Sequence, residues 1–133
     1  MIKVQWSLCC YNVSTGANGL GNLKGVFEGF RSIVAPYRCP SFFVVVGTRI
    51  SVGEDNIRII ISTREPEGGR VVFSSDPTRH HMSVEGHGET FKIIPFAIHG
   101  LTLPEFGPYR YHISVNGSDV HASSFEFIQK RLG

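Results

Sequence analysis

The chain has 133 residues, of which 41% are hydrophobic and 18% charged, and its formal net charge is +2. This length and composition predict one globular domain, residues 1–133, that is long enough to bury its own core. The small charge and the scattered basic residues argue against a nucleic-acid partner. No run approaches the ~18 apolar residues needed to cross a bilayer, so no membrane association is expected.

The cysteine pattern favours a reducing compartment. Cys9, Cys10 and Cys39 make an odd count without C-x-x-C spacing, which is neither a disulfide framework nor a zinc site. The first residues show only broken apolar runs and no cleavage signal, which argues against a signal peptide. The chain is therefore expected in the cytoplasm.

Alternating apolar residues predict strands from the start of the chain. In "IKVQWSLCC" the alternation puts Trp6, Leu8 and Cys10 on one buried face, with Cys9 on the other. After a Gly/Asn-rich loop, the glycines of "LKGVFEGF" predict a curved strand. "SFFVVVGTRI" is apolar on both faces and predicts a central strand, and "IRIIISTRE" alternates again.

The later segments continue this pattern. "RVVFSS" reads as a short strand, and Pro95 in "TFKIIPFAIHGL" indicates an edge or a bulge. With the closing hairpin, about eight strands and no useful amphipathic helix predict an all-β, two-sheet antiparallel sandwich of Ig-like or C2-like type. The predicted core comprises Val4, Trp6, Leu8, Phe43, Val45, Ile59, Ile61, Ile93 or Ile94, Tyr111, Ile113 and Phe125.

"YRYHISVNGSDVHA" predicts a β-hairpin, because a type I′ turn needs positive φ at both central residues and Asn-Gly tolerates it. With Asn116 and Gly117 in the turn, His112 would face His121, both on the outer side, opposite the core side chains. A bulge near Ser123 and Ser124 would then be needed to bring the following phenylalanines inward. A four-residue loop, "NGSD", is the competing register.

The histidines are the only candidates for a metal site. His112 and His121 would supply two ligands as a cross-strand pair, and His87 with either His80 or His81 could fold over the same face. Metal sites need three or four convergent ligands. Because the pair supplies only two ligands, solvated or capping histidines are the favoured interpretation, and no metal and no cofactor is predicted.

No catalytic residues are predicted, since the sequence has no G-x-S-x-G elbow and no carboxylate pair at a defensible separation. Arg49, Arg58 and Arg64 are instead candidates for a binding surface. In a hairpin through "SVGEDN", Arg49 and Arg58 would be nearly opposite, and like charges so placed need an acidic neighbour. Glu28 from a neighbouring strand, a partner protein, a second protomer or an anionic ligand could supply it, which makes these arginines a candidate interaction face.

The segments "VQWSLCCYNVSTGANGLGNLKGVFEGF" and "LTLPEFGPYRYHISVNG" resemble a family of small bacterial β-sandwich proteins known only as a domain of unknown function. The resemblance covers nearly the whole chain and rests on turns and core aromatics. It implies the fold and assigns no catalytic or binding residue.

The sequence thus predicts a non-enzymatic interaction or structural module that binds another protein or a copy of itself, for instance as a homodimer. The alternative from another class is a module that binds a small ligand, a carbohydrate or a metal through the histidines at the ends of its loops.

Overall fold

A computed structural model describes residues 2–15, 21–51, 53–63, 69–82 and 90–131. The described residues form strands and no helix, which confirms that the chain is all-β. There are twelve strands in three sheets, where the sequence predicted about eight in two. The strands are β1 (Ile2–Thr15), β2 (Gly21–Phe27), β3 (Gly29–Ser32), β4 (Tyr37–Arg38), β5 (Phe42–Ile50), β6 (Gly53–Thr63), β7 (Val71–Ser74), β8 (Thr78–Met82), β9 (Thr90–Ile98), β10 (Thr102–Leu103), β11 (Gly107–Val115) and β12 (Ser118–Gln129).

The strands fall into two large sheets and one small one. The first sheet has the order β2-β1-β5-β9, and the second has the order β3-β12-β11-β6-β7, with β8 paired to β6. A third sheet joins β10 to β4. The pairs are antiparallel except β3 with β12, which run parallel.

The core lies between the two large sheets, because a single cluster of buried side chains draws on both. The first sheet contributes Val44 and Val46 from β5, and the second contributes Ile59 and Ile61 from β6. Each fully buried side chain of this size adds about 1.5–3 kcal/mol to stability. The predicted core positions that the structure buries in this cluster are Ile59, Ile61, Ile94, Tyr111, Ile113 and Phe125.

The predicted face of β1 is wrong beyond its fourth residue. Val4 pairs with Thr48 and Trp6 pairs with Gly47, so Gln5 is an extra residue that forms a β-bulge. A bulge of one residue exchanges the two faces of everything that follows it. Trp6 and Leu8 therefore leave the core, and Cys9 enters it in place of Cys10.

Two predicted core residues of β5 are also on the other side of the first sheet. Phe42, Val44 and Val46 belong to the core cluster, so strand alternation turns Phe43 and Val45 outward. Val45 is nevertheless fully buried, so neighbouring groups cover it on the outer face of the sheet.

The chain changes sheets between β2 and β3, at Glu28. Phe27 still pairs with Cys9 of the first sheet, whereas Gly29 already pairs with Glu126 of the second. A Cβ on Gly29 would meet the carbonyl oxygen of Glu126, so the close approach of the two backbones requires glycine here. We name this segment, residues 27–29, the crossover.

The hairpin between β11 and β12 has the predicted two-residue turn. Asn116 has φ 52° and Gly117 has φ 84°, and Val115 pairs with Ser118. The register beyond it differs from the prediction. The bulge lies at Val120 and not near Ser123–Ser124, because Ser114 pairs with Asp119 and Ile113 with His121.

The shifted bulge separates the two histidines. His112 pairs with Ala122, so neither the predicted His112–His121 pairing nor the four-residue loop occurs. His121 lies opposite the core residue Ile113 and on its face, whereas His112 stays on the outer face.

Candidate functional site

The outer face of the first sheet is apolar. We name it the Trp6 face. It consists of the apolar side chains of β1, β5 and β9 that lie on the same side of the sheet as Trp6 and Val45. These residues are Trp6, Leu8, Cys10, Phe43, Val45, Phe91 and Ile93. Cys10 and Val45 are completely buried although they lie outside the main core cluster. The Trp6 face is therefore a second apolar layer on the solvent side of the sheet.

The indole of Trp6 lies across the neighbouring strand. A Cβ added to Gly47, its partner on β5, would meet the indole ring, so the missing side chain makes the room that the ring occupies. Phe91 lies beside it, with ring centroids 6.5 Å apart, and is 42% exposed. Val26 on β2 extends the apolar surface and is 57% exposed.

Positive charge borders the Trp6 face. Lys3, Lys24 and Arg49 are exposed on the same side of the sheet, and no Asp or Glu belongs to this side within the described parts of β1, β2, β5 and β9. The outer face of the second sheet is mixed instead, with Arg58, Asp119 and other charged groups. The two outer faces are thus chemically different.

The predicted arginine face does not form as one surface. Arg49 is on β5 of the first sheet, where it pairs with Lys3, and Arg58 is on β6 of the second sheet, where it pairs with Ser114. The hairpin expected through "SVGEDN" is wrong because β5 and β6 belong to different sheets. Arg64 lies outside the described residues. An interaction role for each arginine stays a prediction.

A polar cleft opens between the two sheets beneath the crossover. Its volume is about 410 Å³, and Ser7, Cys9, Tyr111 and Ser123 are among the residues that line it. The Ser7 hydroxyl is 2.8 Å from the Tyr111 hydroxyl and 2.9 Å from Nε2 of His121. Burial raises the pKa of Tyr111, and its hydrogen bonds to Ser7 and Ser123 act in the opposite direction.

This cleft was not predicted, because both of its strands are displaced by bulges. Without the bulge at Gln5, Ser7 would point to solvent, and without that at Val120 so would His121. Among the described residues that line the cleft, the charged ones are Glu28 and Glu126, and strand alternation with Phe125 and Phe127 turns the Glu126 side chain to the outer face. The cleft can therefore bind hydrogen-bonding groups and positive charge.

The histidines are spread over the molecule. His112 lies 3.7 Å from the carboxylate of Asp119 on the outer face, and His99 is hydrogen-bonded to Ser41. His81 is in β8, where its backbone pairs with Glu54 of β6. His87 lies outside the described residues. Within the described ranges no three His, Cys, Asp or Glu side chains converge as metal ligands.

The cysteines are free thiols in the buried layers. Burial raises the pKa of Cys9 to about 12, with a smaller contribution from neighbouring Cys10, and burial alone raises that of Cys39 to about 12. Such thiols stay protonated at neutral pH and are poor nucleophiles.

The fold and the two surfaces define an all-β protein with one apolar outer face and one open inter-sheet cleft. The chain belongs to a family of unknown function, DUF6941, whose model matches residues 5–128. This confirms the resemblance inferred from the sequence. No curated protein is similar enough to the chain to match it. None of the described residues forms a helix long and apolar enough to cross a membrane.

Proposed function

We propose that the protein is a non-enzymatic interaction module of the cytoplasm, in which an Ig-like or C2-like sandwich of the two large sheets presents the Trp6 face to a partner protein. The observation that carries this proposal is the second apolar layer on the outside of the first sheet. A sheet in an antiparallel fold ordinarily turns a polar face to water. Contiguous exposed apolar surface on such a sheet marks interaction sites.

Charge favours a partner that differs from the chain itself. The border of Lys3, Lys24 and Arg49 would meet like charges, or uncharged groups, in a face-to-face homodimer. A partner with an apolar patch and surrounding carboxylates would satisfy both parts of the surface. A homodimer is the alternative occupant.

The size of the face indicates modest affinity. Four strands spaced about 4.8 Å apart and an apolar length of about six residues give a footprint roughly 20 Å on each side. Stable complexes typically cover about 800 Å² on each partner. The Trp6 face is smaller, so we expect a transient complex.

Site-specific photo-crosslinking in the cell that makes the protein tests the proposal. A photoreactive phenylalanine analogue replaces Phe91 in the Trp6 face, and the same analogue at Ile128, which is 46% exposed on β12, is the control. We expect one discrete product from position 91 that is absent from position 128. A product of twice the chain mass identifies the homodimer, and a different mass identifies another protein.

A Trp6→Glu variant in the crosslinking strain completes the experiment, because it places a charge at the centre of the apolar layer. The product from position 91 should disappear if the Trp6 face forms the contact. No product, or the same products from both positions, would show that the face does not bind a protein.

A further inference from the structure

The edge of β12 next to the cleft has no strand partner over most of its length. β11 pairs with β12 from Ser118 to Phe127 on one side, whereas β3 pairs with it only from Glu126 to Gln129 on the other. Within the described ranges no strand pairs with this second side between Ser118 and Phe125. The crossover is the reason, because the chain enters the second sheet only after Glu28, so β3 begins beside Glu126.

The orientation of the backbone groups along this edge follows from two hydrogen bonds. The Glu126 N–H donates to the Glu28 carbonyl at 3.2 Å, and the Lys130 N–H donates to the Ser32 carbonyl at 2.8 Å. Even-numbered residues of β12 therefore point their N–H groups away from β11. Alternation gives the same direction to Ala122 and Ser124, which follow the bulge at Val120.

This edge also lacks the features that block strand addition elsewhere. β9, the edge of the first sheet, carries Pro95 and Lys92, and β7 is only four residues long. Proline, lysine and short length are the ordinary means by which proteins protect sheet edges. Residues 121–125, which follow the bulge at Val120, contain no proline and no lysine, and Ala122, Ser123 and Ser124 are small.

We propose that an extended peptide of a second protein adds to β12 at residues 121–125, after the bulge at Val120, and places alternate side chains in the cleft. This mode supplies affinity through main-chain hydrogen bonds and specificity through the pocket that receives every second side chain. The added strand lies beside β12 in line with β3, in the space that β3 would fill if β3 extended further toward its own N-terminus. The Ser7, Tyr111 and Ser123 hydroxyls form the polar wall of the pocket.

The charged residues of the cleft indicate which kind of side chain the peptide carries. Glu28 and Glu126 lie at the end where the crossover closes the cleft, and no lysine or arginine is among the described residues that line it. A lysine or arginine of the peptide that points to this end gains the Glu28 carboxylate as a neighbour. The ligand class is thus an extended segment with a basic residue at its crossover end.

This inference goes beyond the proposed docking at the Trp6 face, since it concerns another surface of the molecule. The test uses the full chain and a phage-displayed library of random linear peptides. The best-enriched peptide is synthesised, and its dissociation constant is measured for the parent and two variants. Ala122→Pro removes an outward N–H of β12, and Ala97→Pro makes the same change on the edge of β9, where Pro95 already points outward.

We expect Ala122→Pro to weaken binding about tenfold, because it deletes one main-chain hydrogen bond and obstructs the edge. Ala97→Pro should leave the affinity unchanged, and Glu28→Gln should weaken binding and reduce its dependence on salt. No enrichment of basic peptides, equal effects of both proline variants, or no effect of either would overturn the proposal.

Amide hydrogen exchange on the parent chain gives a second readout that does not depend on the folding of a variant. In the free protein the Ala122 and Ser124 amides should exchange faster than those of Ser123 and Phe125. The selected peptide should slow exchange at Ala122 and Ser124. Protection confined to the Trp6 face instead would place the peptide on the other surface and refute addition to β12.

Discussion

At the scale of single residues, Gly47 and Trp6 form one structural unit. The indole occupies the space that a side chain on Gly47 would fill. We predict that Gly47→Ala lowers the free energy of unfolding by about 1–3 kcal/mol, the usual cost of overpacking. Chemical denaturation followed by far-UV circular dichroism measures it, since the matched control removes Trp6, the only tryptophan.

The same substitution in a Trp6→Ala background is the matched control. Without the ring the added methyl group loses its three closest contacts, so Gly47→Ala should then cost less than about 0.5 kcal/mol. An equal cost in both backgrounds would mean that Gly47 is required for the strand itself and not for the ring.

The buried thiols make stability depend on alkaline pH. Folding raises the pKa of Cys9 and Cys39 from 9.0 to about 12, so the folded state holds these protons more tightly than the unfolded state. Their contribution is complete below pH 9 and is lost as the pH rises toward 12. The loss is up to about 1.4 kcal/mol per pH unit for each thiol.

A Cys9→Ala/Cys39→Ala variant isolates this effect, because it keeps the tyrosines and lysines that titrate in the same range. Urea unfolding at pH 8 and pH 11 should show a smaller fall in the free energy of unfolding for the variant than for the parent. Parallel falls would show that the thiols are not the cause.

At the scale of the element, the β11–β12 turn depends on backbone conformation. Gly117 has φ 84° and an added Cβ would meet nothing within 4 Å. The cost of a side chain is therefore conformational. We predict that Gly117→Val lowers the free energy of unfolding by on the order of 1–2 kcal/mol, measured by thermal unfolding.

Gly117→Asn separates conformation from the loss of glycine as such, since asparagine adopts positive φ more readily than a β-branched residue. It should cost clearly less than the valine variant. If the two variants melt together, the strain at φ 84° does not control the hairpin.

The same hairpin shows how far the sequence determines an element. Asn116 and Gly117 identify the turn because few residues tolerate its dihedral angles. The bulges at Gln5 and Val120 have no comparable signature: the period-2 pattern of β1 runs through Gln5 without a break, and only the packing of the two sheets selects the extra residue. Sequence reasoning therefore predicted both strands and assigned Trp6, Leu8 and His121 to the wrong faces.

Connections between elements were predictable only in part. The link from β5 to β6, residues 51–52, is short enough for a hairpin, yet its strands belong to different sheets. A short loop keeps the ends of the two strands close together, but the packing of the core decides which sheet each strand joins. The arginine pair inferred from that hairpin failed for this reason, whereas the alternation of Ile57, Ile59 and Ile61 held because burial on one face dictates it.

At the scale of the whole molecule, the two surfaces proposed to bind partners could not be predicted from composition. The proportion of apolar residues is ordinary, but the bulge at Gln5 places some of the apolar residues of β1 on the outside of the first sheet. The crossover likewise leaves the edge of β12 open. Both candidate sites arise from local irregularities, so the regular pattern of the strands predicts the core and misses the sites.

The parallel pairing of β3 with β12 also governs how the chain is completed during synthesis. Gly29 pairs with Glu126, which is synthesised about 100 residues later, and β11 has only β6 beside it until β12 is made. Domains form as their last required segment emerges. The second sheet of the nascent chain therefore stays incomplete until β12 has been synthesised, and during this interval a chaperone that binds strand edges could protect it.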